Sequence, residues 1–577
     1  MSVSIENQVR FYDWQLQEMD LAWAKYHRAD IRDLYSSNKL YLGRIWGYDE
    51  KRGVLILKFK KGKFPRLKEP LTISYPKSSI GSFQNWSFSY GYFREHFTEQ
   101  YSTCTTMFYL ENDLNEDDRY VGVKNISMDF FHHIKSDLEE KTHPIIVLGE
   151  EDPPRDYLVA LRSFTKNNPT DNILNLDSGK KEDWKPENLG KNGNVILETI
   201  SLLDLKDQIL IQGPPGTGKT SLTAEICNHF LNLKMRVCVA ALTHKALMEA
   251  ALKEGLQNHI EDGVVYKTNL SADESVEISG LKNHEGTTPI PQGALLLSTY
   301  YSLSKLLIDN QNHIYYDLLI IEEASQAFLT TIAGFSKLGK KIMVVGDFKQ
   351  LTPTVLQSRQ AIKIDKDIFT IINGLETFSI NNAKDSYRLN NSYRLTEKAS
   401  SQTGVFYNDS LTSKSKENGI NLIGRYSELF CPLGGSTLVY LENMDEGKTP
   451  KNANLLTIRL IKDIKNQFPN KKLAILSAFK DTVNSLTDLI LESRISFKNL
   501  EINTIDRIQG AEVDFCIFLI PSYDRKFSFN PNRFNVATSR ARNGTLLLAE
   551  HIISQDFTLP NDVLAFLNRT RKIKINE

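Results

Sequence analysis

Two stretches of the 577-residue chain set reactive side chains where a fold must hold them deliberately. GPPGTGKTS, residues 213–221, satisfies G-x-x-x-x-G-K-[ST] through Gly213, Gly218, Lys219 and Thr220. In such a loop, glycines let backbone N–H groups turn inward around phosphate oxygens, and a following helix adds its dipole. The lysine reaches terminal phosphates and the threonine hydroxyl ligates a divalent cation. LLIIEEASQ, 318–326, runs four apolar residues straight into Glu322 and Glu323. Adjacent acids repel and resist burial. A buried strand ending in two of them suits a cation beside one and a water polarised by the other; a solvent-facing strand end is the plain alternative.

Later segments add groups suited to the same chemistry. GDFKQLTP, 346–353, carries Asp347 and Gln350, the latter placed either to sense a terminal phosphate or simply as a loop residue. NNSYRLTEKASSQTGVFYNDSL, 390–411, contributes Tyr393 and Arg394. NTIDRIQGAEVDF, 503–515, contributes Gln509, Gly510 and Glu512, and NRFNVATSRARNG, 532–544, sets Arg540 and Arg542 two apart. Phosphoryl transfer gathers negative charge in its transition state, and an arginine from a second domain contributes about three to five powers of ten in rate. Taken singly, each arginine reads as a surface or ion-pair residue.

The elements that must position these groups are alternating apolar strands and amphipathic helices. QILIQ precedes the phosphate loop and SLTAEICNHFL follows it. RVCVAAL, ALLLST, DLLIIEE and KIMVVGD continue the series, then STLVYLE, KLAILSAF, LEINTID, DFCIFLIP and GTLLLAE. Continuous apolar strands with helical crossovers mean parallel sheets covered on both faces. Ten strands divide five and five near 380–392, giving two consecutive α/β domains. All five Trp residues precede residue 190, where the polar stretch GKKEDWKPENLGKNGN marks a change of character. Upstream, residues 41–76 read as short alternating strands with turns at 49–53 and 62–65, flanked by helices around 15–38 and 125–140. The expected domains are therefore 1–190, an α+β accessory region with a small β-barrel-like unit near 40–76, then 191–385 and 386–577.

Composition excludes more than it assigns. Lys+Arg and Asp+Glu are both 70, so a nucleic-acid partner would need a local basic groove rather than a basic chain. The five cysteines are scattered, which rules out the usual zinc and iron–sulfur spacings and a disulfide scaffold. No secretory leader is visible and no apolar run approaches the roughly 18 residues of a spanning helix. These features point to a cytoplasmic protein with no membrane partner.

GPPGTGKT, ALTHKA, LLIIEEASQ, VVGDFKQLTP, SYRL…FYNDSL, TIDRIQGAEVDF and NVATSRAR resemble, in order, the motif series of superfamily 1 nucleic-acid helicases. The resemblance covers about residues 190–550 and is nearest the 1B branch that includes the nonsense-mediated-decay helicase and senataxin. NVATSRAR is unlike the superfamily 2 ending, and EEASQ disfavours the UvrD-like branch. The resemblance implies two tandem RecA-like domains that clamp ATP between them and single-stranded DNA or RNA across their tops. It implies that Gly213, Pro214, Pro215, Gly216, Thr217, Gly218, Lys219, Thr220 and Ser221 hold ATP, with Thr220 and Glu322 at Mg²⁺. It further implies Glu323 as catalytic base, Gln350 as the couple to domain movement, Arg394 and Arg540 as fingers, and Glu512 at the ribose. Thr243, His244, Ser298 and Thr299 match positions that touch the nucleic-acid backbone, though hydroxyls at strand ends also cap helices.

Three departures qualify the likeness. Glu322 stands where an Asp is usual, one methylene longer. KNGNVILETISLLD holds no counterpart of the Gln that reads adenine. Only about fifty residues separate ALTHKA from ALLLST, too few for a long helical stalk. The expected activity is ATP-dependent movement toward the 3′ end of a single strand; the alternative is a slow nucleic-acid-stimulated switch signalling through the N-terminal region, which would then meet a protein partner. In that region KFKKGKFPRLK, 58–68, reads equally as a nucleic-acid-facing surface or as charge protecting a sheet edge. FQNWSFSYGYF, 83–93, reads as aromatic core or partner surface before base stacking.

Overall fold

A computed structural model describes residues 2–49, 53–110, 117–179, 184–190, 193–285, 288–309, 313–442, 444–508, 510–550 and 558–575. The chain forms two compact units. One comprises residues 1–16, 155–479 and 503–577; the other comprises 17–154 and 480–502.

The second unit is built on a closed antiparallel barrel. Its strands are β1 (Tyr41–Asp49), β2 (Val54–Lys60), β3 (Pro70–Pro76), β4 (Thr98–Tyr109), β5 (Asp118–Lys124) and β6 (Ile145–Gly149), ordered β1-β2-β5-β4-β3-β6. The alternation legible in 41–76 therefore seeds a barrel that runs on to residue 149. The turn expected at 49–53 lies largely outside the described residues. Inward side chains Leu55, Leu57, Ile73, Val121 and Leu148 fill the barrel. Helix Lys480–Glu492, distant in sequence, belongs to this unit: Leu491 joins the barrel core, Glu492 pairs with Lys61 at 2.8 Å, and Phe497 meets Tyr109 edge-on at 5.1 Å. Within the aromatic run at 83–93, Trp86, Tyr90 and Phe93 are fully buried core, Phe83 and Phe88 pack against them, and Tyr92 is exposed.

The first unit carries two sheets. The larger has nine strands: β7 (Glu187–Asn188), β8 (Gln208–Gln212), β9 (Val237–Ala241), β10 (Val265–Thr268), β11 (Lys282–His284), β12 (Leu295–Thr299), β13 (Tyr316–Ile321), β14 (Gly339–Gly346) and β15 (Ser386–Arg388). They lie parallel in the order β11-β10-β12-β9-β13-β14-β8-β15-β7. Alternate residues feed opposite faces. Leu210, Leu319, Ile321 and Val344 pack on one side, while Ile209, Ile211, Leu318, Ile320 and Val345 pack on the other. Both faces are covered, which explains why these strands read as unbroken apolar runs.

A short pair, β16 (Asn391–Ser392) with β17 (Thr412–Ser413), leads to the smaller sheet. Its strands are β18 (Ser436–Leu441), β19 (Leu473–Ser477), β20 (Leu500–Thr504), β21 (Val513–Leu519), β22 (Ala541–Glu550) and β23 (Arg571–Ile575), ordered β20-β19-β21-β22-β18-β23. The architecture is two tandem RecA-like parallel-sheet domains with an N-terminal barrel-bearing region.

Three expectations change in detail. Residues 1–190 do not hold together as one unit, because Phe11 and Tyr12 of helix Ile5–Arg28 and Tyr157 of helix Arg155–Asn167 pack on the nine-stranded sheet. The helix expected over 15–38 is two helices, Ile5–Arg28 and Ile31–Ser36. The polar region near 380–392 supplies β15, a strand of the first sheet, rather than a linker alone. Between ALTHKA and ALLLST the longest described helix is Glu254–Glu261, so no stalk occupies that interval. Among the described residues no helix is long and apolar enough to cross a membrane.

Candidate active site

A cavity of about 1010 Å³ opens at the strand ends of both sheets. Pro215 through Ser221, Glu322, Glu323, Gln350, Arg394, Glu512 and Arg540 all line it. Residues far apart in sequence are thus gathered at one cleft.

The phosphate loop follows β8 and ends at Gly218 (φ +82°), which caps helix Lys219–Asn232. Gly213 sits behind the lining, its N–H donating to Gly346 O at 2.9 Å, and Pro214 lies beside it. Gly216 has φ +74°, and a Cβ there would lie 2.5 Å from Arg394 Cβ and 2.6 Å from Ser392 Oγ. Only glycine fits this approach. Ser392 Oγ donates to Pro215 O at 3.0 Å and Tyr393 N donates to Gly216 O at 2.8 Å, fastening the SYR segment to the loop. Lys219 Nζ donates to Gly213 O at 2.5 Å, and burial lowers its pKa against the pull of Asp347 and Glu322.

The two glutamates at the end of β13 differ. Glu322 is 2% exposed and accepts from Thr220 Oγ1 at 3.0 Å and Thr223 Oγ1 at 3.1 Å. Burial raises its pKa, with Lys219 opposing. Glu323 faces the cleft from a left-handed backbone, φ +51°, uncommon for a non-glycine residue and found where geometry serves a site. Burial, then Glu322, push its carboxyl up to about 7. Glu249, on helix His244–Ala251, lines the same cavity and is also pushed up to about 7, chiefly by burial. Gly510 closes over the pair: a Cβ on it would sit 3.5 Å from both Glu249 carboxylate oxygens and 3.6 Å from Glu323 Oε1. Nothing in ALTHKALMEAAL marks Glu249, because its role is set by the fold of a distant strand. Gln509, its neighbour motif residue, lies outside the described residues.

A hydrogen-bond network centred on Asp347 joins the two sheets. Its carboxylate accepts from Gln212 Nε2 (2.7 Å), Gln350 Nε2 (2.8 Å) and Tyr407 OH (2.6 Å). Asn535 Nδ2 donates to Tyr407 OH at 2.7 Å, and Arg540 Nη2 donates to Gln350 Oε1 at 3.3 Å. Arg540 is 3% exposed, and burial followed by Arg394 lowers its pKa to about 10. Arg394 donates to Glu512 Oε1 and to Ser539 O, while Arg542 donates to Glu512 Oε2 at 2.7 Å. Burial opposes ionisation of Glu512, but the two guanidiniums win and hold its carboxyl at about 2. Its oxygens serve arginines here, which differs from the ribose contact implied by resemblance.

The strand-end hydroxyls divide. Thr243 and His244 are exposed, and Thr243 Oγ1 caps the helix at Ala246 N. Ser298 and Thr299 are 1% and 4% exposed; Thr299 caps at Ser302 N and Ser298 Oγ faces Thr268 Oγ1. For those two side chains, capping and core packing are what the fold displays. Leu189, Val195, Ile196 and Leu389 give the cavity an apolar part of its lining, and Asn194 spends its Oδ1 capping helix Val195–Leu205.

A phosphate loop, a buried acidic strand end and two arginines from beyond the first sheet, with a second parallel sheet, define a tandem RecA-like phosphate-loop protein. Two family models, both described as AAA domain, match residues 202–355 and 373–551. Among relatives, the DNA replication ATP-dependent helicase/nuclease dna2 of Schizosaccharomyces pombe is 25% identical over 63% of this chain and 28% of its own length. An uncharacterized ATP-dependent helicase of Methanocaldococcus jannaschii is 26% identical over 42% of this chain and 37% of its own. The chain therefore matches well under half the length of either relative. The Arterivirus nonstructural protein 10 helicase is a structural neighbour with TM-score 0.35 and 11% identity, covering 84% of this chain and 77% of that one. With the seven motifs in order, the chain belongs to the superfamily 1 helicases.

Proposed function

We propose that the chain is an ATP-driven helicase or translocase of the 1B type, moving 5′-to-3′ on single-stranded DNA or RNA. The observation that carries this reading is the convergence of Arg394, just after the short strand Asn391–Ser392, and Arg540, just before β22, on the cleft that holds Lys219, Glu322 and Glu323.

In this reading, backbone N–H groups of 216–220 and the Lys219 ammonium bind the ATP phosphates. Glu323 takes a proton from the attacking water while Arg394 and Arg540 balance the charge building on the γ-phosphate. Thr220 Oγ1 and Glu322, an all-oxygen set with a single carboxylate, fit an ion that keeps waters and phosphate oxygens as its other ligands. When bound there, Mg²⁺ would supply charge neutralisation across the phosphates. Gln350 touches both Asp347 and Arg540, so a change at the nucleotide would pass through it to the second domain. Thr243 and His244 are the exposed candidates for the strand, and phosphate contacts would make affinity fall steeply with salt.

The slow-switch reading keeps one support. Glu322, longer than the usual Asp, is already tied to two hydroxyls. Duplexes carrying a 5′ or a 3′ single-stranded tail, in DNA and RNA, separate the readings. Opening of 5′-tailed duplexes with ATP is expected; stimulated turnover without displacement leaves a translocase, turnover indifferent to nucleic acid removes the motor reading, and opening only of 3′-tailed duplexes removes the 1B direction.

A further inference from the structure

Lys267 lies in β10 between apolar layers, yet its side chain is 0% exposed. Burying an ammonium is costly unless its hydrogens are all received. Here Nζ is 2.9 Å from His244 Nδ1 and 2.9 Å from Glu274 Oε2, with Thr268 O and Asn269 O at 3.4 Å. Glu274 is itself fixed, because it completes a capping box with Ser271 at the start of helix Ala272–Glu277. Three elements therefore meet at one imidazole on the exposed start of helix His244–Ala251.

The chemistry of that meeting is one-sided. A lysine ammonium has donors and no acceptor, so Nδ1 of His244 must accept. The ring's single proton is then on Nε2, the nitrogen not engaged by Lys267. We infer that Lys267 is a positioning residue that locks His244 in its neutral Nε2–H tautomer and so presents one fixed, uncharged donor to an acceptor oxygen of the nucleic-acid strand. The ligand named rests on the helicase reading above; the lock rests on the hydrogen bonds alone. The charged groups facing the ring are Lys267 from β10 and Glu274 from helix Ala272–Glu277, with Lys245 next on its own helix. Burial of the ring's inner side and then Lys267 lower the His244 pKa, with Glu274 opposing. An exposed histidine without the lock would exchange tautomers and titrate near 6.5.

The full chain labelled with ¹⁵N-histidine, assigned through His244→Gln, tests this directly. Wild-type His244 should show an unprotonated Nδ1 and a protonated Nε2 from pH 5.5 to 8. Lys267→Met should give mixed tautomers and an ordinary titration. Affinity for a single-stranded oligonucleotide should be flat with pH at this position in wild type. In Lys267→Met it should be up to about twofold weaker at pH 8, the cost of sharing the ring proton between two tautomers, and recover toward pH 5.5 as the ring gains charge. An Nδ1–H or normally titrating wild-type His244 overturns the lock, and needs no variant to fold. A locked ring in a chain that binds no single strand overturns the ligand and the helicase reading together, leaving the lock. A Lys267→Met affinity profile identical to wild type overturns the positioning role.

Discussion

The nucleotide cleft and the barrel differ in the balance of what they bury, although the barrel too encloses Arg66 and Arg119. The cleft buries charge: Glu322, Asp347 and Arg540 lie beneath the surface, Glu322 held by two hydroxyls of the helix after the phosphate loop and the other two by partners across the two sheets. The barrel and its aromatic annex bury hydrocarbon: Leu55, Ile73, Trp86, Tyr90 and Phe93 are inaccessible to solvent. Replacing a buried charge with its near neighbour leaves an unpaired group or moves a reacting atom, so identity is constrained. An apolar core accepts many combinations of similar volume. Chemistry therefore leaves a motif in the sequence, whereas packing leaves only a pattern.

Substitutions that separate turnover from stability probe this contrast. The largest expected effect is at Arg540→Ala, where steady-state ATPase should fall by about 10³–10⁵-fold in kcat. A loss below about tenfold would reduce Arg540 to a structural strut. Next is Trp86→Ala, which should cost about 3–5 kcal/mol in denaturant unfolding of the barrel unit, while ATPase per folded molecule stays within about twofold. A comparable collapse of turnover would break the contrast. Tyr407→Phe tests the hub that belongs to both worlds, a buried aromatic whose hydroxyl reaches a carboxylate. Its loss should cost about 1.5–3 kcal/mol by thermal or denaturant melting. The smallest effect is set by pH. Glu323 and Glu249 are both pushed up to about 7, so the base form is present above that pH and lost below it. The kcat/KM for ATP should fall about tenfold per unit below pH 7 and level off above it, with the two acids titrating as a pair. A profile flat from pH 5.5 to 8 would remove Glu323 as the base.

The same contrast explains what could be read beforehand. All ten apolar runs named from the sequence are strands, because strands buried on both faces advertise themselves. Thr98–Tyr109, TEQYSTCTTMFY, carries no such run; its burial is partial and its inward residues include the polar Ser102 and Thr106, so the barrel-like unit expected near 40–76 gave no sign of its extent to residue 149. Helix Lys480–Glu492 joins the barrel unit through Leu491 and Glu492, a partnership that no local pattern encodes. At the cleft, the motif residues converge as their order suggested. Tyr407 and Asn535 sat inside quoted motifs with no role, since a tyrosine that donates to Asp347 looks like any core tyrosine until the second sheet is in place. Ser298 and Thr299 show the converse: residue types suited to a phosphate backbone are spent on a cap and a core contact.

The central claim is that the cleft hydrolyses ATP in response to a single strand, with Glu323 as the base. ATPase measured with and without single-stranded DNA and RNA, for wild type and Glu323→Gln, tests it most directly. The account predicts wild-type turnover raised by the strand and a fall of about 10²–10⁴-fold in Glu323→Gln, with ATP binding retained. Wild-type turnover indifferent to nucleic acid, or a Glu323→Gln enzyme within threefold of wild type, would contradict it.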